Sequence, residues 1–342
     1  MLKKKALLML RHDQRKDGDD SKGPAILTNM AFWQSAEWVK SVDSIVDPSR
    51  RPGTIPCCLQ ALRLFSRKKH YDIVLTMGAR ESLLYGLLCL VTGQASKQIM
   101  TEIFVDDENA KKLFWRLKTA LYRMISKRAI GILTNSSSEI ATLSKRLCVS
   151  SEIIRYVPMH TNILQPECCD RNECFVLAAG YTRRDYPTLL EAAPHINARL
   201  VIICSQTDLQ TMSIPSNVTI LRDLPRQTYL DYLRRTAIVV LPLQPTERST
   251  GQVVLLEAMA FGKPVVATRT PGTLDHIRHG ENGLFVAPQD AASLAREVNT
   301  LLRDPAAAGR LGRRAFEDIL QFNTVDIHAK AKRAAIKELW ER

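Results

Sequence analysis

No apolar run in the 342-residue chain approaches the roughly 18 to 20 residues of a membrane-spanning helix. The longest, Ser82 to Thr92 and Gln252 to Phe261, read as core helices. The opening MLKKKALLMLRHD sets basic residues before only about five apolar ones, too few for a signal-peptide core. It reads as a first buried strand. The eight cysteines form no CxxC pair and no Cys/His array with zinc spacing, although Cys168, Cys169 and Cys174 cluster. Reduced thiols in a cytosolic protein without a metal site are expected. No GxGxxG follows a strand, so dinucleotide redox chemistry is unsupported. The GKP at 262–264 lacks the rest of a Walker loop, and neither a GxSxG elbow nor HExxH occurs.

What is present is a globular composition, 45% apolar and 24% charged, in a chain long enough for two domains. The net charge is +13, and residues 1–170 carry 26 Lys/Arg against 17 Asp/Glu. That asymmetry points to an anionic partner such as a membrane surface, a phosphorylated substrate or nucleic acid. Nucleic acid is not expected, because no recognisable motif interleaves basic and aromatic residues on a sheet.

From residue 174 short apolar runs alternate with helical stretches. CFVLAAG (174–180), RLVIICS (199–205), VTIL (218–221), IVVLPL (238–243), PVVAT (264–268) and LFVAP (284–288) read as strands. The first half repeats this less sharply in KKALLMLRH, HYDIVLTMG (70–78), KQIMTEIFV (97–105) and AIGILTNS (129–136). Such alternation means parallel sheets covered on both faces. The expected domains are 1–160 and 174–324, joined by a linker over 161–173. A basic helix over 325–342 follows, free to pack back on the first domain. Ligands of such sheets bind outside the carboxyl ends of the strands, so the cleft between domains is the expected site.

One segment concentrates the chemistry. In STGQVVLLEAMAFGKPVVAT (249–268) the only charge from Val253 to Phe261 is Glu257, on a helix apolar on every other face. Such a helix is buried, and a buried carboxylate needs a partner. Ser249 or Thr250 can cap the first turn, while Gly251 lets a ligand approach the amides. A helix N-terminus at the carboxyl edge of a sheet suits a phosphate ester. Glu257, two turns in, can accept both hydroxyls of a ribose; alternatively it pairs with a core arginine.

Residues 249–288, ending in GTLDHIRHGENGLFVAPQD, closely resemble the donor-binding end of the retaining family 4 glycosyltransferases of GT-B fold. The resemblance covers about 174–310 well and the first half in outline. It implies two Rossmann-like doubly wound domains facing a cleft. It also implies that Glu257, the second glutamate of the family's pair, holds the ribose of a nucleotide-sugar. The first glutamate of the pair is Ser249 here, with Glu247 two residues earlier as the candidate to replace it. The family's Phe-Gly becomes Gly251-Gln252, followed by Val253. Diphosphate binding in the family uses basic residues after the first strand of the second domain. Here AGYTRRDYPTLLEA (178–192) offers Arg183 and Arg184 beside Gly180, with Tyr181 at the usual arginine. Arg222 and Asp223 stand where the family holds the base by backbone contacts. Pro271, Gly272 and Thr273 are expected at the cleft, Asp275 sits where the family often has Glu, and Lys263 is given no role.

The implied reaction moves a sugar from a nucleoside-diphosphate-sugar, UDP favoured, to a glycan or lipid-linked acceptor. It proceeds with retention, without cofactor or metal; no DxD motif occurs. Candidate acceptor bases are His12, and Glu102 with Asp106 and Asp107 in TEIFVDDEN. Rival readings are a non-catalytic nucleotide-sugar-binding scaffold, kept open by Ser249, and a GT-B sugar epimerase. KKLFWRLKTALYRMISKR (111–128) sets apolar residues at helical spacing among seven basic ones with no acid. It can lie on an anionic membrane, or be a core-packed helix with a solvated basic face. The expected location is cytoplasmic, peripheral on the inner face of the membrane.

Overall fold

The computed structural model describes residues 23–30, 35–45, 54–103, 113–169 and 173–342. His12, Asp106, Asp107 and the strand expected in KKALLMLRH lie outside the described residues.

Among the described residues, two six-stranded sheets, parallel throughout, organise the molecule. The first contains β1 (Ile26–Thr28), β2 (Val42–Ser44), β3 (Ile73–Met77), β4 (Gln98–Thr101), β5 (Gly131–Thr134) and β6 (Ile154–Tyr156). Their order is β2-β1-β3-β4-β5-β6. The second contains β7 (Glu173–Ala179), β8 (Arg199–Cys204), β9 (Val218–Arg222), β10 (Thr236–Leu241), β11 (Val265–Thr268) and β12 (Leu284–Val286). Their order is β12-β11-β10-β7-β8-β9. These are two Rossmann-like domains. β1, β2 and β6 were not expected from the sequence; each has only three residues, too short for an alternating period to repeat.

The helices of the first domain are α1 (Ala36–Ser41), α2 (Thr54–Arg67), α3 (Ala79–Val91), α4 (Leu113–Ser126) and α5 (Glu139–Leu147). Those after β7 are α6 (Tyr186–Ala192), α7 (Arg226–Arg235), α8 (Gln252–Ala260), α9 (Pro271–Leu274), α10 (Ala291–Arg303), α11 (Pro305–Phe322) and α12 (Val325–Trp340). The central strands are buried on both faces, as helix layers on each side require. Val176, Ala178, Val240 and Ile202 pack on α6 and α10. Leu177, Val239 and Leu241 face Leu255, Leu256, Met259 and Phe261, at and after α8, on the opposite side. Burying one such leucine stabilises by roughly 1.5–3 kcal/mol.

α12 crosses back to the first sheet, where Ala329, Ile336 and Leu339 join Ile73, Leu75, Ile99 and Leu133 in one core. Gly131 leaves room for that helix, since a Cβ there would stand 2.5 Å from Leu339 Cδ1. α4 turns Tyr122 and Ile125 into the core, but leaves Leu113, Phe114, Leu117 and Met124 exposed at 79, 70, 58 and 48%. Among the described residues no helix is long and apolar enough to cross a membrane.

Candidate active site

β7 and β10 lie side by side where the order of the second sheet reverses. The chains leaving them diverge to opposite faces, so a crevice opens at their carboxyl ends. A cavity of about 700 Å³ occupies it. The second domain lines it with Gly180, Thr182, Arg184, Arg226, Tyr229, the loop from Arg248 to Gly251 and the start of α8. Glu102 and Asn135 close it from the first domain.

Glu257 is fully buried at the back of this cavity and does have the arginine partner that its burial demands. Arg226 donates in a fork, Nη2 to Oε1 at 2.7 Å and Nη1 to Oε2 at 3.0 Å. The Tyr229 hydroxyl donates to Oε2 at 2.9 Å, and Asn162 Nδ2 to Oε1 at 3.4 Å. Four donors meet the four lone-pair positions of a carboxylate. Hydrogen bonding to Glu257 raises the Arg226 pKa, while burial, then Glu257, pushes Tyr229 well above a normal tyrosine. The Arg226 side chain keeps 47% of its surface exposed and lines the cavity. Arg226 and Tyr229 share one face of α7, three residues apart. Which arginine pairs with Glu257 is not legible in the sequence, because Arg226 and Tyr229 meet it across about thirty residues of chain.

Arg184 is buried under the turn after β7. Its Nε donates to Ala179 O and its Nη1 to Thr182 O, both at 2.8 Å. Burial lowers its pKa, and the groups that oppose this are the hydroxyls of Tyr186 and Tyr229; no carboxylate of the described residues takes part. Gly180, at φ +121°, makes way for it, because a Cβ there would collide with the guanidinium. The result is a buried cation that lines a cavity and, among the described residues, is held by carbonyls and tyrosine hydroxyls. Taking such a charge out of water costs several kcal/mol unless an anion compensates.

The loop into α8 faces the same space. Gly251 adopts φ +84° as the residue before the helix, a left-handed conformation that suits glycine. No side chain caps α8, so its first-turn amides open beside Ser249, Thr250, Gln252 and Val253, all of which line the cavity. The hydroxyl of Thr250 is buried without a hydrogen-bond partner.

Other candidates fall outside. Glu247 does not line the cavity; it forms an ion pair with Arg146 of α5 on the surface. Arg183 takes φ +55° and turns the chain, its carbonyl accepting from Gln244 N at 3.0 Å, while the next residue, Arg184, reaches inward. Arg222 donates to Asp208 O at 3.3 Å, and the Asp223 amide to Cys204 O at 3.1 Å; neither lines the cavity. Gly272 is a packing residue, because a side chain there would strike the backbone of Thr250. Glu102, at φ +54° just beyond β4, lines the cavity.

Sequence reasoning missed how the domains grip each other. Ser136 Oγ and Ser137 N donate to Asp275 Oδ2 at 2.7 and 2.9 Å, and Gln252 Nε2 donates to Asn135 O at 2.8 Å. Glu139, in the first turn of α5, is buried and accepts from Ser249 N at 2.6 Å and Ser249 Oγ at 3.2 Å. The side chain of Gln252 also meets His276, whose pKa burial pulls down to about 4.

Residues 174–304 match the family described as glycosyl transferases group 1. The match lies within the second domain. The structure as a whole has the GT-B fold. It resembles Anabaena HepE in complex with UDP-glucose, with a TM-score of 0.68 at 14% identity over 91% of this chain and 98% of that one. It also resembles sucrose-phosphate synthase of Thermosynechococcus elongatus, with a TM-score of 0.65 at 19% identity over 84% and 80%. An exopolysaccharide phosphotransferase of Streptomyces coelicolor is 36% identical over 119 residues, 34% of this chain and 12% of that protein. A D-inositol 3-phosphate glycosyltransferase of Streptomyces bingchenggensis is 31% identical over 110 residues, 30% of this chain and 24% of that one. The chain therefore matches less than a quarter or so of the length of these sequence relatives.

Proposed function

We propose that this group 1 glycosyl transferase moves a sugar from a UDP-sugar to a hydroxyl of a glycan or lipid-linked acceptor. The supporting observation is Arg184, a buried cavity-lining guanidinium with no carboxylate partner among the described residues, beside the uncapped N-terminus of α8. Together they fit a diphosphate, because guanidinium and helix amides both favour phosphate oxygens. The complexes of Anabaena HepE with UDP and UDP-glucose suggest UDP as the nucleotide.

The ribose lies against Glu257. Its hydroxyls reach the carboxylate by displacing Asn162, the longest of its four contacts, while Arg226 keeps its fork. In the reaction the bond between the anomeric carbon and the diphosphate oxygen breaks. The acceptor oxygen bonds to that carbon, and its proton passes to the leaving diphosphate or to Glu102. Arg184 and the α8 amides stabilise the charge that develops on the diphosphate. Retention without a metal belongs to the proposal, on the strength of the family resemblance.

The exposed apolar stripe of α4 supports a place at the cytoplasmic face of a membrane. Arg116 and Arg123 are exposed beside Phe114 and Leu117, and the helix holds no acid. Apolar side chains among cations suit an anionic lipid surface. The test is transfer of labelled sugar from UDP-sugars into a lipid extract. Incorporation that is lost in Arg184→Met supports the function. UDP-sugar binding without any transfer, across extracts and soluble glycans, favours the scaffold reading.

A further inference from the structure

We infer that Glu139, reaching across from the first domain, positions the Ser249 hydroxyl as the acceptor that fixes the hydroxyls of the transferred sugar. This rests on the proposed donor site and deepens it. Glu139 Oε1 accepts from Ser249 N at 2.6 Å and Oε2 from Ser249 Oγ at 3.2 Å. A third donor, Thr134 Oγ1, also reaches Oε2. The carboxylate is buried, and no cation of the described residues is among the partners that hold it. Both polar hydrogens of Ser249 are thereby committed, so its hydroxyl offers the cavity only lone pairs. A hydroxyl whose proton goes to a carboxylate is a strengthened acceptor, as expected for polarised hydrogen-bond chains.

The polarity of the cavity says which end of the donor comes here. Arg184, Arg226 and Arg248 all belong to the second-domain wall. Glu102, Asn135 and Ser249 line the cavity and also the small void beside Glu139. The diphosphate belongs with the guanidinium groups. The neutral polyol, with its developing positive charge at the anomeric carbon, belongs with the carboxylates. Glu139 is a positioning residue, acting through Ser249.

A domain clamp is the competing explanation, and the same helix supplies its control. Arg146 bridges α5 to Glu247 on the same loop but does not line the cavity. The experiment compares the whole chain with Glu139→Gln, Ser249→Ala and Arg146→Ala. Calorimetry measures affinity for UDP, and UDP release measures turnover of UDP-glucose, UDP-galactose and UDP-N-acetylglucosamine. UDP affinity should stay within about twofold in all three variants. Turnover and preference among the sugars should fall at least tenfold in Glu139→Gln and Ser249→Ala, but not in Arg146→Ala. Unchanged sugar preference in Ser249→Ala, or an equal loss in Arg146→Ala, overturns the inference. So does a wild type that binds UDP but treats all three sugars as UDP. Should Glu139→Gln not fold, Ser249→Ala carries the same prediction. A wild type that binds no UDP refutes the donor-site reading itself.

Discussion

Replacing Arg184 with methionine separates stability from binding. In the unliganded protein the change removes two hydrogen bonds, to Ala179 O and Thr182 O, both at 2.8 Å. Bonds to charged groups are worth about 1.5–3 kcal/mol each. The change also removes a buried cation that no carboxylate of the described residues partners, relieving a desolvation penalty of several kcal/mol. Methionine adapts to the space left. The opposing terms are of similar size, so stability in urea should stay within about 2 kcal/mol of wild type. UDP binding has no such compensation. Losing a charged donor to the phosphates should cost about 2–4 kcal/mol, or about 30- to 1,000-fold in Kd. The assay is urea denaturation alongside calorimetric titration with UDP. A variant that loses more than about 3 kcal/mol of stability while holding UDP within twofold would show that Arg184 is a structural residue.

Glu257→Gln should destabilise the unliganded protein by about 2–4 kcal/mol, because it breaks a buried forked pair whose arginine keeps solvent contact; urea denaturation measures it. Below neutrality the buried His276 and His328 and the half-buried His160 should weaken the fold. His276 is held down to about 4, and His160 and His328 are also lowered, in each case chiefly by burial. The unfolded chain takes up protons on these rings first, so stability is full above about pH 6.5 and falls toward pH 4. His276 alone accounts for up to about 3 kcal/mol; a stability that stays level across that window contradicts the argument. Phe114→Ser with Leu117→Ser should reduce flotation with anionic vesicles severalfold and leave UDP affinity unchanged, whereas equal flotation would remove α4 from the membrane account.

The second domain was legible because its strands are long apolar runs punctuated by helices, and because 249–288 keeps a family's spacing. Segment 249–254 and Glu257 lie on one short stretch, so reading them together was a local inference. Glu257's partners were not local. Arg226 and Tyr229 are ordinary residues of an amphipathic helix until β9 and α7 swing them under α8. Nor could the sequence tell that Arg183 would turn the chain while Arg184 went inward, since two adjacent arginines look alike without a backbone. Glu139 was invisible for the same reason: a glutamate in the first turn of a helix is an ordinary choice, and only the closed cleft brings it to Ser249. Glu247 was placed by nearness in sequence, but Arg146 holds it outside.

The central claim is that the cavity at the end of β7 is built for a diphosphate. The measurement is calorimetric titration of the whole wild-type chain with UDP, UMP and uridine under one buffer. The account predicts that affinity rises steeply with each phosphate, UDP binding at least a hundredfold more tightly than uridine. Equal affinities, or no binding of UDP at all, would contradict it and leave Arg184 without an anion to explain its burial.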